Sequence, residues 1–468
     1  PCTRRAIVRY SPVLVEIRFG CGLSPEIAPP RNVHEMLDGL IAPDEMARAH
    51  PIPGFGAMLP VLRQQRSLLR ARRRSEDEAE RADLRTQHKA LLRQSNRTGR
   101  NWWVQAMVRQ IRTETAFRER LVLFWTDHFA ALGKTPVFRH AALPYAEEAI
   151  RPYVAGRFAD LLKAVTTHPL MLHYLDQVSS MGPNSRTAKR SARQRGLNEN
   201  LARELLELHT LGVNGPYDQN DIRALAELLA GRSYDFDNGF KYRRRFAEPG
   251  AETVLDRTYG HAGEGLQAVF DFLEDVAIHP ATAEHIARKL AVHFVSDNPD
   301  PDLVGKLTDR YVATGGDLFQ VYGALLGHPA AWDPELHNVK PPADYVASAC
   351  RVLSVSKESL QTSKGKLPSN TLFRALNRMG QPFGRPPGPD GWPEEDGAWI
   401  TPQGLAERLR FAMNIPSKLR PDLPDPRDFA RDALGPRVSA SVTFAAQAAE
   451  SRADGIGLVL SSPAFQRR

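Results

Sequence analysis

Two glutamates, an arginine and an asparagine stand close together in the segment NENLARELLELHTLG, residues 198–212, and their side chains could carry acid–base chemistry. On a regular helix of 3.6 residues per turn, Asn200, Arg203, Glu204 and Glu207 fall on one stripe about 100° wide. We call these four residues the polar stripe. Two carboxylates beside an arginine can have separated pKa values, so that one acts as acid and the other as base. The pattern predicts a catalytic cluster in which the glutamates are acid and base, the arginine clamps the substrate and the asparagine orients it.

The opposite face of the same predicted helix is apolar. Leucines occupy most of it, and His209 points into that apolar arc, away from the two glutamates. The polar stripe is also typical of a surface helix on which Arg203 and Glu207 form an i,i+4 ion pair, worth about 0.5 kcal/mol or less. Asn198 has two interpretations as well, since it either caps the helix or contacts the substrate.

Two further blocks supply side chains that could meet the polar stripe across a pocket. The block WTDHFA contains Asp127 and His128, and the block HYLD contains His173 and Asp176. We expect His128 and Asp176 to bind substrate, although a histidine flanked by aromatic residues is more often part of a core. The alternative is a divalent-metal site in which a glutamate of the polar stripe joins His128 or Asp176, because mixed carboxylate–imidazole ligation suits several divalent ions.

The elements that must position these residues are mostly helices. Apolar residues recur at three- and four-residue spacing through most of the chain, which predicts a mainly α, large multi-helix globular fold. The longest such pattern, residues 104–132, should break near Thr113–Thr115. Between residues 234 and 259 aromatic, glycine and basic residues alternate, and Asn238-Gly239 predicts a short β-hairpin there.

Three His-Pro pairs mark predicted helix starts. His168, His279 and His328 each precede a proline and then an apolar-periodic run. Proline suits the first turn of a helix, where its missing N–H would have no partner in any case. These histidines are therefore predicted to be helix-entry residues.

The chain divides into three predicted regions: residues 1–100, a helical region with a basic long helix; residues 101–360, a helical core that carries the polar stripe; and residues 361–468, a packed loop followed by C-terminal helices. The loop prediction covers Thr362–Thr401, which is rich in Pro and Gly but too apolar for a free linker.

The net charge of +8 is concentrated in one place. Residues 63–100 hold twelve Arg and Lys against five acidic residues, a difference of seven. The run RARRRSEDEAERADLR within it mixes both signs with Leu and Ala at helical spacing, which is typical of a long solvated helix. No nucleic-acid-binding motif accompanies it, so no nucleic-acid partner is expected.

The remaining composition narrows the class of protein. At 468 residues the chain can bury a large core, and no stretch approaches the roughly 20 apolar residues of a membrane span. Cys2, Cys21 and Cys350 match no metal or redox spacing. The first residues contain no recognisable signal peptide, which favours a cytoplasmic location by default and leaves a removed export signal open.

The segment NENLARELLELHTLGVNGPYDQNDIRALAELLAG resembles the signature of a bacterial family known as domain of unknown function 1800. Further matching blocks lie within residues 118–130, 151–176, 279–297, 339–353 and 386–401. The resemblance implies a bacterial origin, a helical fold and frequent genomic pairing with a sulfatase-like family, which would be a partner protein. It supplies no reaction.

Three functions remain open. The first is a hydrolase or lyase that uses the Glu/Arg/Asn cluster of the polar stripe for acid–base chemistry, on a polymeric substrate such as a glycan. The second is an enzyme that binds a divalent metal through Glu, His and Asp. The third is a non-enzymatic assembly partner of a sulfatase-like protein, in which the stripe is a structural network and the basic helix docks an acidic partner.

Overall fold

The computed structural model describes residues 10–190, 196–260, 265–361 and 368–468, and within these the protein is mainly α-helical. The helices of eight residues or more are Val33–Ile41, Leu59–Arg74, Glu78–Arg112, Ala116–His128, Phe158–Thr167, Gln219–Leu229, Leu266–Ala277, Pro280–Phe294, Pro301–Thr314, Leu318–Leu326, Pro342–Val352, Pro368–Arg378, Pro402–Asn414, Pro426–Leu434, Ala440–Ala448 and Arg452–Ser461.

Shorter helical segments connect them. The short α-helices are Pro12–Leu14, Glu45–Ala49, Ala142–Tyr145, Pro169–Tyr174, Asn200–Glu204, Lys357–Gln361, Pro416–Leu419 and Pro463–Gln466. Three π-helical segments are Val15–Phe19, Ala146–Ile150 and Leu205–His209. The 3₁₀ turns are Phe55–Met58, Phe138–His140, Arg151–Tyr153, Gln177–Ser179, Ala188–Arg190, Pro329–Trp332, Asp396–Trp399 and Gly435–Arg437.

The predicted hairpin excursion is present, and it contains two hairpins where one was expected. Strands β1 (Arg232–Asp235) and β2 (Gly239–Tyr242) pair antiparallel around the Asn238-Gly239 turn. Strands β3 (Glu252–Val254) and β4 (Arg257–Tyr259) form a second antiparallel pair. The second turn has positive φ at two non-glycine residues, Leu255 and Asp256, so it carries no Asn-Gly signal in the sequence.

The basic run forms two helices where one long helix was predicted. Leu59–Arg74 ends at Ser75, and Glu78–Arg112 begins after Asp77, whose side chain accepts a hydrogen bond from the N–H of Ala79 at 2.9 Å. The Ser-Glu-Asp sequence between them supplies the capping group that starts the second helix. The second helix ends at Arg112 and the next begins at Ala116, as the predicted break near Thr113–Thr115 requires.

Side-chain caps confirm the predicted helix starts. The Nδ1 atoms of His168, His279 and His328 accept hydrogen bonds from the N–H two residues later at 3.0, 3.1 and 3.2 Å. Each proline stands at the start of its helix. Asp218 and Asp221 form a reciprocal capping box before Gln219–Leu229.

The irregular loop predicted for Thr362–Thr401 is partly wrong. Residues 362–367 lie outside the described residues, and Pro368–Arg378 is an amphipathic helix. The irregular part is residues 379–401, which packs through Trp399, 5% exposed. Between residues 369 and 401 the Gly and Pro residues that break helices all come after Arg378, so they leave this helix uninterrupted.

The apolar interior falls into two clusters. The first gathers residues between 14 and 62 with residues between 117 and 336; the second joins residues 103–111 to residues between 345 and 465. The helix Glu78–Arg112 reaches both, since Leu92 and Trp102 pack on the first and Trp103 lies in the second. The three predicted regions stay a prediction. None of the described helices has the length and apolar character needed to span a membrane.

Candidate functional site

The helix around the polar stripe is shorter than predicted and changes its winding halfway. An α-helix over Asn200–Glu204 continues as a π-helix over Leu205–His209. The Thr210 hydroxyl donates to the carbonyl oxygen of Leu205, five residues back, at 2.7 Å. The side-chain directions that a regular α-helical wheel predicts are therefore wrong beyond Glu204, because a π-helix has more residues per turn than an α-helix. Such π-helical turns are frequent at functional sites.

An ion-pair network runs along the polar stripe. Arg203 lies 3.3 Å from the carboxylates of both Glu199 and Glu207. It also donates to the side chain of Gln219 at 3.0 Å. The side chains of Arg203, Glu199 and Glu207 are 39%, 33% and 25% exposed, so the network is neither sealed nor fully solvated. Asn200 is exposed. Ion pairs of this exposure contribute little stability by themselves.

Glu204 has the perturbed carboxyl group of the polar stripe. Partial burial raises its pKa above the usual range, the nearby carboxylates of Glu207 and Asp390 raise it further, and Arg203 acts in the opposite direction. Glu204 therefore keeps its proton to a higher pH than an exposed glutamate does, which is a property that a general acid needs.

Asn198 and Asp176 lie together beside the start of the stripe helix. The Oδ1 of Asn198 accepts a hydrogen bond from the N–H of Asn200 at 2.9 Å, but the N-cap position itself is held by Glu199, which makes no side-chain cap. Its Nδ2 donates to the carbonyl oxygen of Asp176 at 3.2 Å. Asp176 has a φ of 55°, and its carboxylate pairs with Lys134 at 2.6 Å. Substrate-binding roles for these two residues stay predictions.

His128 lies on the core side of the stripe helix. It is 3% exposed, and its Nε2 is 3.2 Å from the carbonyl oxygen of His209, which is itself only 2% exposed. His209 thus faces the core, as predicted. Burial holds the pKa of His128 well below its usual value, so the ring is neutral and donates through Nε2. His128 therefore contacts the backbone of this segment on the face opposite to the stripe.

Asp127, the neighbour of His128, lines a cavity of about 250 Å³ where the two apolar clusters meet. Its Oδ1 accepts a hydrogen bond from the backbone N–H of Trp392 at 3.0 Å. Burial nevertheless raises the pKa of Asp127 to about 7, with the hydrogen bond from Trp392 and the charge of Lys289 opposing the shift and Glu394 and Asp390 adding to it. A carboxyl group with this pKa can both donate and accept a proton near neutral pH.

A tight turn holds the residues opposite Asp127. The N–H of Gly391 donates to the carbonyl oxygen of Gly388 at 3.3 Å, and Gly391 has a φ of 83°. A Cβ atom at Gly391 would lie 2.6 Å from the backbone oxygen of Asp127 and 2.8 Å from its Oδ1. Only glycine permits this approach, which brings the N–H of Trp392 onto the carboxylate.

The walls of the cavity combine aromatic faces with buried polar atoms that lack partners. Trp103, Trp392 and Trp399 line it, together with His293 and Asn338. Among the described residues, His293 Nε2 and Asn338 Oδ1 have no hydrogen-bond partner. A buried polar atom left unpaired costs about 1–3 kcal/mol, so this cavity has the polar groups that a hydrogen-bonding ligand would satisfy.

Asp390 connects the stripe and the cavity electrostatically, because its charge raises the pKa of both Glu204 and Asp127. The charge of Lys289 lowers the pKa of Asp127, and its Nζ lies 2.6 Å from the carboxylate of Glu394. The sequence patterns assigned no role to Lys289, Asp390 or Glu394. The only available signal was that they lie in two of the blocks that resemble the family.

The metal-site alternative gains no support from the described residues. Among residues 10–190, 196–260, 265–361 and 368–468 there is no group of three or more His, Cys, Asp or Glu side chains that could hold a metal ion. The neighbouring rings of His128, His209 and His285 are 6.1 and 6.2 Å apart from centre to centre, with His128 common to both pairs.

Comparison of the chain with curated proteins and with solved structures gives no match. A family model described as "Protein of unknown function (DUF1800)" matches residues 17–467, which is nearly the whole chain and includes both the polar stripe and the cavity. The protein therefore belongs to the DUF1800 family.

Proposed function

We propose that this protein is a hydrolase or lyase that works by carboxylate acid–base chemistry, with Asp127 as the group that moves the proton. The observation that carries the proposal is the position of Asp127: a carboxyl with a pKa of about 7 lines a cavity with tryptophan walls. A carboxyl with a perturbed pKa in a concave, mostly apolar site is a candidate acid–base centre.

Glu204 is the second carboxyl of the proposal. Its raised pKa makes it the proton donor of the polar stripe, with Glu207 as the accepting carboxylate. Arg203, held between Glu199 and Glu207, clamps an anionic or hydroxyl-rich part of the substrate, and the exposed Asn200 orients it. Asn198 and Asp176 border the same surface as binding residues.

A glycan is the substrate class that the walls of the cavity favour. Three tryptophans offer flat apolar faces, and His293 and Asn338 offer hydrogen-bonding atoms without partners in the described structure. A sugar ring has an apolar face that packs on tryptophan and hydroxyl groups that form hydrogen bonds, so one ligand would use both the tryptophans and the polar atoms of the cavity. Assembly with a sulfatase-like partner stays a separate prediction.

The test compares wild type with Asp127→Asn and Glu204→Gln on neutral, uronate-containing and sulfated glycans. New reducing ends report hydrolysis, and the ultraviolet absorbance of a new C=C bond reports elimination. We expect at least about a hundredfold loss of product release in each variant, the usual contribution of general acid–base catalysis. Asp309→Asn, which changes an exposed aspartate that does not line the cavity, is the matched control.

The variants also separate lost chemistry from lost folding. Asn at position 127 keeps an oxygen for the N–H of Trp392 and removes a buried ionisable group, so this variant should be at least as stable as wild type at neutral pH. Full activity of a folded Asp127→Asn variant would exclude the proposed role. Wild type that neither cleaves nor is stabilised by any of these glycans would exclude the substrate class.

A further inference from the structure

The charged residues of the helix Leu59–Arg74 are all positive. Its sequence LPVLRQQRSLLRARRR contains six arginines and no acidic residue. Arg63, Arg66, Arg70 and Arg74 follow one another at three- and four-residue spacing, so they lie along one face, and all four are exposed. Like charges at this spacing repel, so the helix is destabilised unless an anion lies along it.

A groove runs between this helix and the β1–β2 hairpin. One part, of about 560 Å³, has Arg66, Arg70 and Arg73 on the helix side and Arg243 on the hairpin side. An adjoining part of about 440 Å³ shares Arg66, Arg70 and Phe236 and extends to the two ends of the arginine row. We call the two parts together the arginine groove.

The floor of the arginine groove is apolar. Leu69, Val178, Tyr234 and Phe236 line it and are half-buried, so parts of their side chains remain accessible. The guanidinium carbon of Arg66 lies 5.7 Å from the centre of the Phe236 ring. The groove therefore offers aliphatic and aromatic surface between two cationic walls.

The protein supplies few anions of its own to this groove. Arg63 pairs with Asp237 at 3.4 Å, and both side chains are more than half exposed. Within the described parts of the chain, Arg66, Arg70, Arg73 and Arg243 form no ion pair with an acidic side chain. The second acid of the hairpin, Asp235, pairs with Lys241 instead.

We propose that the arginine groove binds an acidic amphipathic peptide segment of a partner protein. Arginine forks match carboxylates in a bidentate geometry, which accounts for the anionic part of the ligand. The floor mixes the aliphatic side chains of Leu69 and Val178 with the rings of Tyr234 and Phe236, so it suits the mixed apolar side chains of a peptide better than a run of bases, which needs aromatic faces along its length. The proposal is independent of the acid–base site, since it uses none of its residues.

The test measures binding of fluorescent peptides by anisotropy. The probe is a Glu/Leu amphipathic peptide, compared with a Lys/Leu peptide, poly-glutamate, single-stranded DNA and a sulfated glycan. The variant is the triple Arg66→Gln, Arg70→Gln, Arg73→Gln. Its control is the triple Lys89→Gln, Arg93→Gln, Arg97→Gln, which removes the same charge from exposed positions of the neighbouring helix.

We expect the Glu/Leu peptide to bind wild type, with a Kd that rises with ionic strength. The groove triple should weaken binding at least about tenfold, because three exposed pairs together contribute about 1.4 kcal/mol or more. The control triple should change the Kd by less than about twofold. Phe236→Ala should weaken the Glu/Leu peptide more than poly-glutamate, because only the former uses the apolar floor.

Four results would overturn the proposal. The first is that the Glu/Leu peptide does not bind wild type, and the second is that the two triple variants weaken its binding equally. The third is that DNA or the sulfated glycan binds the groove more tightly than the peptide does. The fourth is that poly-glutamate binds with the same affinity as the Glu/Leu peptide and that Phe236→Ala has no effect. Circular dichroism of each variant shows whether the helical fold is retained. If the groove triple misfolds, the single variant Arg70→Gln, at the centre of the row, takes its place.

Discussion

At the scale of single residues, the Asp127 carboxyl lies in a buried position, where its ionised form is unfavourable. The unfolded chain ionises aspartate at about pH 3.9, whereas the folded protein keeps the proton until about pH 7. The folded state therefore binds more protons over this interval, and its stability falls as pH rises through it. Retaining such a group is consistent with a chemical role for it.

We predict that Asp127→Asn removes this pH dependence. Below about pH 4 the variant and wild type should be equally stable, because the carboxyl is protonated in both states of wild type. Above pH 7 the variant should be more stable than wild type by about 2–4 kcal/mol. The lower end of this range allows for screening of the Asp127 charge by solvent in the cavity. Chemical denaturation at several pH values measures the difference. Parallel curves for the two proteins would contradict the assigned pKa.

Gly391 is the residue that sets the distance between the turn and Asp127. Its φ of 83° disfavours any other residue, and so does the 2.6 Å that would separate a Cβ atom from the Asp127 backbone oxygen. We predict that Gly391→Ala costs about 1–3 kcal/mol and reduces product release, because the turn must withdraw from the cavity. Gly397→Ala is the matched control, since a side chain there meets nothing within 4 Å. Equal thermal stability of the two variants would contradict this prediction.

At the scale of elements, the helix starts are specified by side chains a few residues away. The three His-Pro pairs work as the sequence predicted, because the cap and the helix it starts are neighbours in the chain. The winding of the stripe segment was not predictable in the same way. The pattern of residues 205–209 predicts a regular α-helix, whereas the segment is π-helical with Leu205 and Leu206 fully buried.

We predict that His279→Ala lowers the stability of the protein by about 1 kcal/mol, because the N–H of Ala281 loses its acceptor. His279→Asn should restore most of this loss, since an asparagine oxygen caps equally well. Protonation of Nδ1 also removes the acceptor, so the difference between wild type and Ala should shrink below the pKa of His279, which burial lowers. Thermal unfolding of the three proteins measures these differences. An Asn variant as unstable as Ala would contradict a capping role.

At the scale of the whole molecule, Arg351 ties distant parts of the chain together. It is fully buried and donates to the carbonyl oxygens of Gly22, Ile111 and Thr113, and it pairs with Glu16 at 3.0 Å. These contacts join the N-terminal segment, the end of the long helix and the second apolar cluster. The side chain of Arg351 thereby links the first and the second apolar cluster.

We predict that Arg351→Met lowers the free energy of unfolding by about 3–5 kcal/mol, because it leaves the buried Glu16 carboxylate and several carbonyl groups unpaired. The double variant with Glu16→Met should recover part of the loss, since it removes the unpaired charge. Arg374→Met, an exposed arginine on a helix of the second cluster, is the control. Urea denaturation reports the values. A loss no larger than that of the control would show that the pair does not join the two clusters energetically.

The sequence by itself determined the features that depend on near neighbours. These are the helical class, the break after Arg112, the helix entry at His168, and the orientation of His209 toward the core. Hydrophobic periodicity and capping act over a few residues, so one sequence is enough to predict them.

The tertiary structure alone decided which carboxyl is buried and where the arginine groove lies. Asp127 and Trp392 are 265 positions apart in the chain, and burial raises the pKa of Asp127 against the opposing hydrogen bond from Trp392. The polar stripe was found from spacing, but its exposure, the charge of Asp390 and the groove beside Arg66 depend on packing between remote elements. Burial and electrostatic coupling are properties of that packing, which no local pattern encodes.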